Sequence, residues 1–210
     1  MLLWINGPFG GGKTQTAYEI RRRLPGGVIC DPEHVGFGLH RMLPPELRDD
    51  FRDLAAWRQG VVEVLDLALT RRAGVVIAPM TVTDPAHFAE TLGRLGELGH
   101  DVRHFTLLAR RGTVLKRLRE RGFGHLLGYV AGKDAPLRRE SWAVGQLDHC
   151  LERLREPEFA EHLWTDGMTV PEVADRVAAS AGLRLTPNHD GALRTRLRQA
   201  AVGARHIRFD

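Results

Sequence analysis

Met1-Leu2-Leu3-Trp4-Ile5-Asn6, running directly into Gly7-Pro8-Phe9-Gly10-Gly11-Gly12-Lys13-Thr14, opens the chain and decides how the rest of it is read. The first six residues form a short apolar run of the kind that makes a buried strand. Residues Gly7 to Thr14 fit the pattern G-x-x-x-x-G-K-[ST] in full, and Gln15 to Leu24 read as a helix. Strand, glycine loop and helix in that order are the context a phosphate-binding loop needs, and a chance glycine-rich turn lacks it. Gly7, Gly10, Gly11 and Gly12 let the backbone curl so that successive N–H groups point inward as an anion nest. The helix that follows aims its positive end at the same place, with Gln15 in its first turn. Lys13 is expected to reach the outer phosphates as a point charge, and the Thr14 hydroxyl to occupy a Mg²⁺ coordination position.

At 210 residues the chain is long enough for one sizeable domain and too short for two. Its 43% hydrophobic and 27% charged residues are those of a globular protein. A formal charge of +4 suits a protein that handles phosphates but gives no footprint for nucleic acid. Cys30 and Cys150 make neither a disulfide framework nor a metal set, and they read as buried thiols in a cytoplasmic protein. No basic region precedes the apolar start, so that run is expected to be a strand rather than a secretion signal. No run reaches the roughly eighteen apolar residues of a membrane span.

Further along, Pro25-Gly26-Gly27 stops the first helix, and Val28-Ile29-Cys30-Asp31 reads as a second strand. Gly36 and Gly38 suggest a loose stretch, and a helix is expected from Pro44-Pro45 through Leu54. Trp57 to Arg72 is a firm helix by its apolar spacing. Val75 to Pro79 is the third strand, and Asp84-Pro85 caps the helix after it. Val102 to Ala109 and His162 to Thr165 complete five strands, with helices over Thr113 to Arg121, Leu137 to Arg155 and Pro171 to Ala181. Alternation of this kind gives an α/β fold, a three-layer sandwich around a central, mostly parallel, five-stranded sheet. Gly122 to Pro136 holds four glycines and reads as a lid-like loop. The domain is expected over residues 1–182, with 183–210 as a basic amphipathic extension. Such a helix can lie on an anionic membrane surface or pack on the domain, and its alanine-rich apolar side favours packing.

The acceptor side of a phosphoryl transfer needs an acid. Asp31 ends the second strand at the edge where open α/β sheets bind ligands, so it is the candidate to orient a hydroxyl or to serve the metal through water. An acid before proline also often caps a turn. Glu33 and His34 stand close in sequence and are candidates for the substrate. The third strand ends in Ala78-Pro79, where many ATPases carry a magnesium-shell acid. Arg117 and Arg121, with Arg138 beyond the loop, are candidates to neutralise phosphate charge, although exposed arginines more often only solvate a surface. Trp57, with Arg58, and Trp142 are candidates to wall the substrate, although a tryptophan is more often core.

Several segments together resemble the tunicamycin resistance protein family. They are the opening Trp4 to Ala17, Asp31-Pro32-Glu33, Trp57-Arg58, Pro79-Met80-Thr81, His104 to Leu107, Leu115-Lys116-Arg117-Leu118, Ser141-Trp142-Ala143, Gln146-Leu147-Asp148 and Thr165-Asp166. More broadly the layout is similar to small P-loop kinases of the nucleoside-monophosphate, shikimate and chloramphenicol-phosphotransferase type. The resemblance implies a P-loop NTPase fold with a lid, ATP and Mg²⁺ as cofactors, and a tunicamycin-like nucleoside antibiotic as substrate or ligand. It also implies a peripheral contact of the C-terminal helix with the membrane, and a monomer or homodimer is expected. Three functions remain open at this point: phosphorylation of the drug, its ATP-dependent sequestration, and a housekeeping small-molecule kinase.

Overall fold

A computed structural model of the chain describes residues 1–120 and 144–205. The sheet has five strands: β1 (Leu2–Asn6), β2 (Val28–Ile29), β3 (Val76–Pro79), β4 (Val102–Leu108) and β5 (His162–Trp164). They lie in the order β2-β3-β1-β4-β5, and every pair is parallel. The first strand of the chain is thus the middle of the sheet. Leu2 pairs with Val76 on one side and Val102 on the other, and all five residues of β1 are buried.

Alternation along β1 separates two cores. Leu3 and Ile5 face α1 (Lys13–Arg23) and α7 (Val170–Ser180), packing with Ala17, Ile20, Val173 and Val177. Leu2 and Trp4 face the other way, toward Phe51, toward Trp57, Val61 and Leu65 of α3 (Ala55–Arg71), and toward Leu92 and Leu95. The last two belong to α4, residues 85–97, which contains one wide π turn over Ala89–Gly93. Asp84 caps α4 by accepting from the amides of Ala86 and His87. Beyond the sheet edge, α5 (Arg111–Glu120) and α6 (Leu147–Arg153) pack through Val114, Leu118, Leu147 and Leu151. Helices therefore cover both faces, giving the three layers expected from the alternation.

Two local expectations change. Residues Glu33–Met42 form a helix, α2, straight through Gly36 and Gly38, while residues 44–54 form only the short 3₁₀ turns Pro45–Leu47 and Phe51–Asp53. Packing explains the first: a Cβ on Gly36 would sit 2.4 Å from the Phe51 ring, so this glycine marks a close approach rather than a break. The second lacks any apolar period to bury a helix face. Cys150 is buried, whereas Cys30 is only partly so. The described residues end in α8 (Ala192–Arg205), which packs on α1. None of the described helices is long and apolar enough to cross a membrane. The lid-like loop, and with it Arg121, Arg138 and Trp142, lies outside the described residues.

Candidate functional site

The loop between β1 and α1 is built against the end of β3. Asn6 is fully buried; its Oδ1 accepts from the amides of Gly7 (2.8 Å) and Val82 (3.0 Å), and its Nδ2 donates to Val82 O (2.8 Å). The Thr81 hydroxyl donates to Gly7 O at 2.8 Å. These four bonds fasten the entry of the loop. Farther on, Gly11 N donates to Pro8 O at 2.9 Å. Gly10 turns at φ +75°, and a Cβ there would meet Leu118 of α5 at 2.7 Å, so only glycine lets the loop lie this close to the helix. Gly12 turns at φ +96°, and a Cβ there would meet nothing within 4 Å. The loop is closed on its protein side and open where a ligand would approach.

The open side has the donors an anion requires. No side chain caps α1, so the first amides of the helix face the loop. Lys13 is buried; its Nζ donates to Pro8 O at 3.1 Å and stands 5.4 Å from the centre of the Phe9 ring. The Thr14 hydroxyl has no partner among the described residues. Arg117 approaches from α5, donating to Gly11 O (3.3 Å), Thr165 Oγ1 (3.0 Å) and Thr165 O (2.8 Å). Burial holds its guanidinium below the ordinary arginine range, and the nearby Asp166 carboxylate opposes that shift. A cradle of amides, a buried lysine, an arginine at the rim and the Thr14 hydroxyl fit a polyphosphate with a divalent ion. Among the described residues no three His, Cys, Asp or Glu side chains cluster to hold a metal alone.

Next to this loop lies a cavity of about 550 Å³. Its wall takes Asp50, Arg52 and Asp53 from the turn before α3, Val82 to Asp84 and His87 from the start of α4, and Gln146, His149 and Arg153 from the α6 region. Trp57 also contributes to the wall. The lining is chiefly polar, with carboxylates, guanidinium groups and imidazoles mixed. Arg52 belongs to both regions. Its Nε lies 2.9 and 3.0 Å from the two Asp50 oxygens, Nη2 also bonds Asp50, and Nη1 donates to Thr81 O at 3.2 Å. Its Cζ stands 5.7 Å from the centre of the Phe9 ring, inside the phosphate loop. Burial alone would lower the Arg52 pKa, but the Asp50 carboxylate outweighs that and raises it. Cys150 is close enough to feel Lys13 and Arg52, although burial pushes its thiol up to about 11.

The sequence candidates divide between these parts. Lys13, Thr14 and Arg117 come together at the loop, and Trp57 reaches the cavity. Trp57 is buried and donates its indole N–H to Pro32 O at 3.0 Å, next in the chain to Asp31, which is not among the lining residues. The Asp31 Oδ1 accepts from Glu33 N at 3.0 Å, starting α2 as an acid before proline often does. Glu33 and His34 are not among the lining residues. Arg58 supports from outside, donating to Arg52 O at 2.8 Å and pairing with Glu90. Asn6, Thr81, Arg52, Asp53 and His149 were not singled out from the sequence. Asn6 and Thr81 lay in segments that carry the family resemblance, with no role given to either, and the other three had no signal.

Comparison with known proteins agrees with this geometry. The AAA domain family matches residues 2–126. The solved structure of the tunicamycin resistance protein of Deinococcus radiodurans is 31% identical, with a TM-score of 0.70; the match covers 89% of this chain and 99% of that one. A gluconokinase from Sinorhizobium meliloti shares the fold at 16% identity and a TM-score of 0.58, over 86% of this chain and 90% of that one. A sugar kinase from Janibacter does so at 17% and 0.57, over 87% and 94%. The search of curated proteins found no match.

Proposed function

Because the chain belongs to the tunicamycin resistance protein family and, through residues 2–126, to the AAA domain family, we propose that it is an ATP-dependent phosphotransferase acting on a tunicamycin-like nucleoside antibiotic. The observation that carries the reading is Arg52, which touches the phosphate loop through Phe9 and lines the polar cavity beside it. A donor site and an acceptor site that share one wall are what direct transfer requires.

ATP supplies the γ-phosphoryl group, and Mg²⁺ neutralises charge on its oxygens. Lys13 and the loop amides bind the phosphates, Thr14 holds a metal position, and Arg117 adds positive charge at the rim. Arg121 and Arg138 are candidates for the same task. The cavity orients the acceptor, with Trp57 as its flat wall. Asp31, which does not itself line the cavity, is the carboxylate proposed from its place after β2 to take the proton of the attacking hydroxyl as the hydroxyl oxygen bonds to phosphorus and the bond to the departing nucleoside diphosphate breaks. Asp53, on the cavity wall, is the second carboxylate to test.

The decisive experiment incubates the protein with ATP, Mg²⁺ and tunicamycin and reads the mass of the drug. A gain of one phosphate group is expected. Asp31→Asn should retain nucleotide affinity and lose transfer by about 10²–10⁴-fold, the usual worth of a positioned acid–base group. If Asp53→Asn shows that loss instead, the acid is misassigned. Unmodified drug that nevertheless travels with the protein through gel filtration would replace transfer by sequestration.

A further inference from the structure

The C-terminal segment returns along α1 to the phosphate loop. It first meets the far end of that helix, where Arg23 Nε donates to Thr186 O (2.7 Å) and Thr186 N donates to Arg23 O (2.9 Å). Asp190, with its side chain only 8% exposed, then pairs with Arg22 of α1 (3.5 Å) and with Arg194 (3.4 Å) and Arg198 (2.8 Å) of α8. At the near end, Gln15 Nε2 donates to Gln199 O at 2.9 Å across 184 residues of sequence. From Asp190 beside Arg22 to Gln199 beside Gln15, α8 therefore runs antiparallel to α1. The remaining residues 200–205 extend about 9 Å past that point, at the helical rise of about 1.5 Å per residue. Gly203, in that last part, is buried.

Gln15 occupies the first turn of α1, the residue after Thr14. Its amide belongs to the uncapped set facing the loop, while its side chain grips α8. We propose that α8 is part of the nucleotide site: it braces the first turn of α1 through Gln15 and walls the loop on the side opposite the acceptor cavity. The proposal rests on the nucleotide reading above. It assigns the basic C-terminal extension a ligand-binding task within the domain rather than a membrane contact. Since one residue contacts both partners, docking of α8 and nucleotide binding strengthen each other by the same factor.

The test uses the full-length protein and two variants placed at opposite ends of α8. Asp190→Ala releases the helix at the far end, where nothing touches the phosphate loop, and Gln15→Ala cuts the near contact. Calorimetry with ATP and Mg²⁺ should show the Kd rising about three- to tenfold in each, the worth of one ordered hydrogen bond. The double variant should be no worse than the weaker-binding single one, because both break the same link. In wild type, ATP with Mg²⁺ should also slow trypsin cleavage within residues 190–205, followed by mass spectrometry. Faster cleavage of that segment in Asp190→Ala with an unchanged Kd would overturn the inference and leave the nucleotide reading standing. A wild-type protein that binds no nucleotide would overturn both. Arg198→Ala, a milder release of the same helix, repeats the test if Asp190→Ala does not fold.

Discussion

At the scale of single residues, His104 sets a limit on acid tolerance. Burial lowers its pKa from 6.5 to about 4; the ring Nδ1 bonds Ala160 O at 2.9 Å, which pulls the other way, and His162 adds to the lowering. Between those two values the unfolded chain binds a proton that the folded chain refuses. The stability contributed by the neutral ring is thus complete above about pH 6.5 and is lost as pH falls toward about 4. His104→Asn removes this titration, so the drop in Tm between about pH 7 and about pH 4.5 should be smaller than in wild type. Equal drops would show that other groups carry the effect. Residues also differ in how legible they were. Lys13 and Thr14 could be read because their chemistry is fixed by local spacing. Arg52 sits in Asp50-Phe51-Arg52-Asp53, which reads as ordinary surface charge; its importance arises from Phe9 and Thr81, which only folding brings near it. Asp31 illustrates the opposite case, where a strand-end position was legible but its bond to Glu33 N was only one of two readings.

Among elements, the joint between β1 and the segment after β3 matters most to the site. Asn6 satisfies two amides and one carbonyl there, and Thr81 satisfies a further carbonyl. Asn6→Ala leaves those groups dry at a cost of about 1–3 kcal/mol each, with partial relief from relaxation. Urea denaturation should show a clearly lower midpoint, and calorimetry a weaker affinity for ATP. Loss of stability with unaltered affinity would mean that the joint holds the sheet and not the loop. The strands themselves were legible almost to the residue, since each is a short apolar run between turn signals. The helix over Glu33–Met42 was not, because Gly36 looks like a breaker until Phe51 is seen packed against it. Glycine in a sequence marks a special position without saying whether it is a turn or a close approach.

Over the whole molecule, the order β2-β3-β1-β4-β5 was legible only as a class: alternation predicts a parallel sheet wrapped by helices, while the order depends on contacts between distant strands. The alanine-rich side of the extension favoured packing on the domain, and it does pack along α1; which helix it meets was not legible, because a hydrogen bond such as Gln15 to Gln199 leaves no trace in local composition. The central position of β1 also has a consequence for synthesis. β1 leaves the ribosome before both of its neighbours, at residues 76–79 and 102–108, so Leu2 to Ile5 must wait, unpaired and apolar, until those strands are made. Nascent chains halted before β4 has emerged should therefore be cut readily by protease and retained by chaperones, with protection appearing only once that strand is free. Early protection would point to a provisional pairing that is later exchanged. The phosphate loop is translated well before the strands that hold it in place, and is among the last segments to take shape.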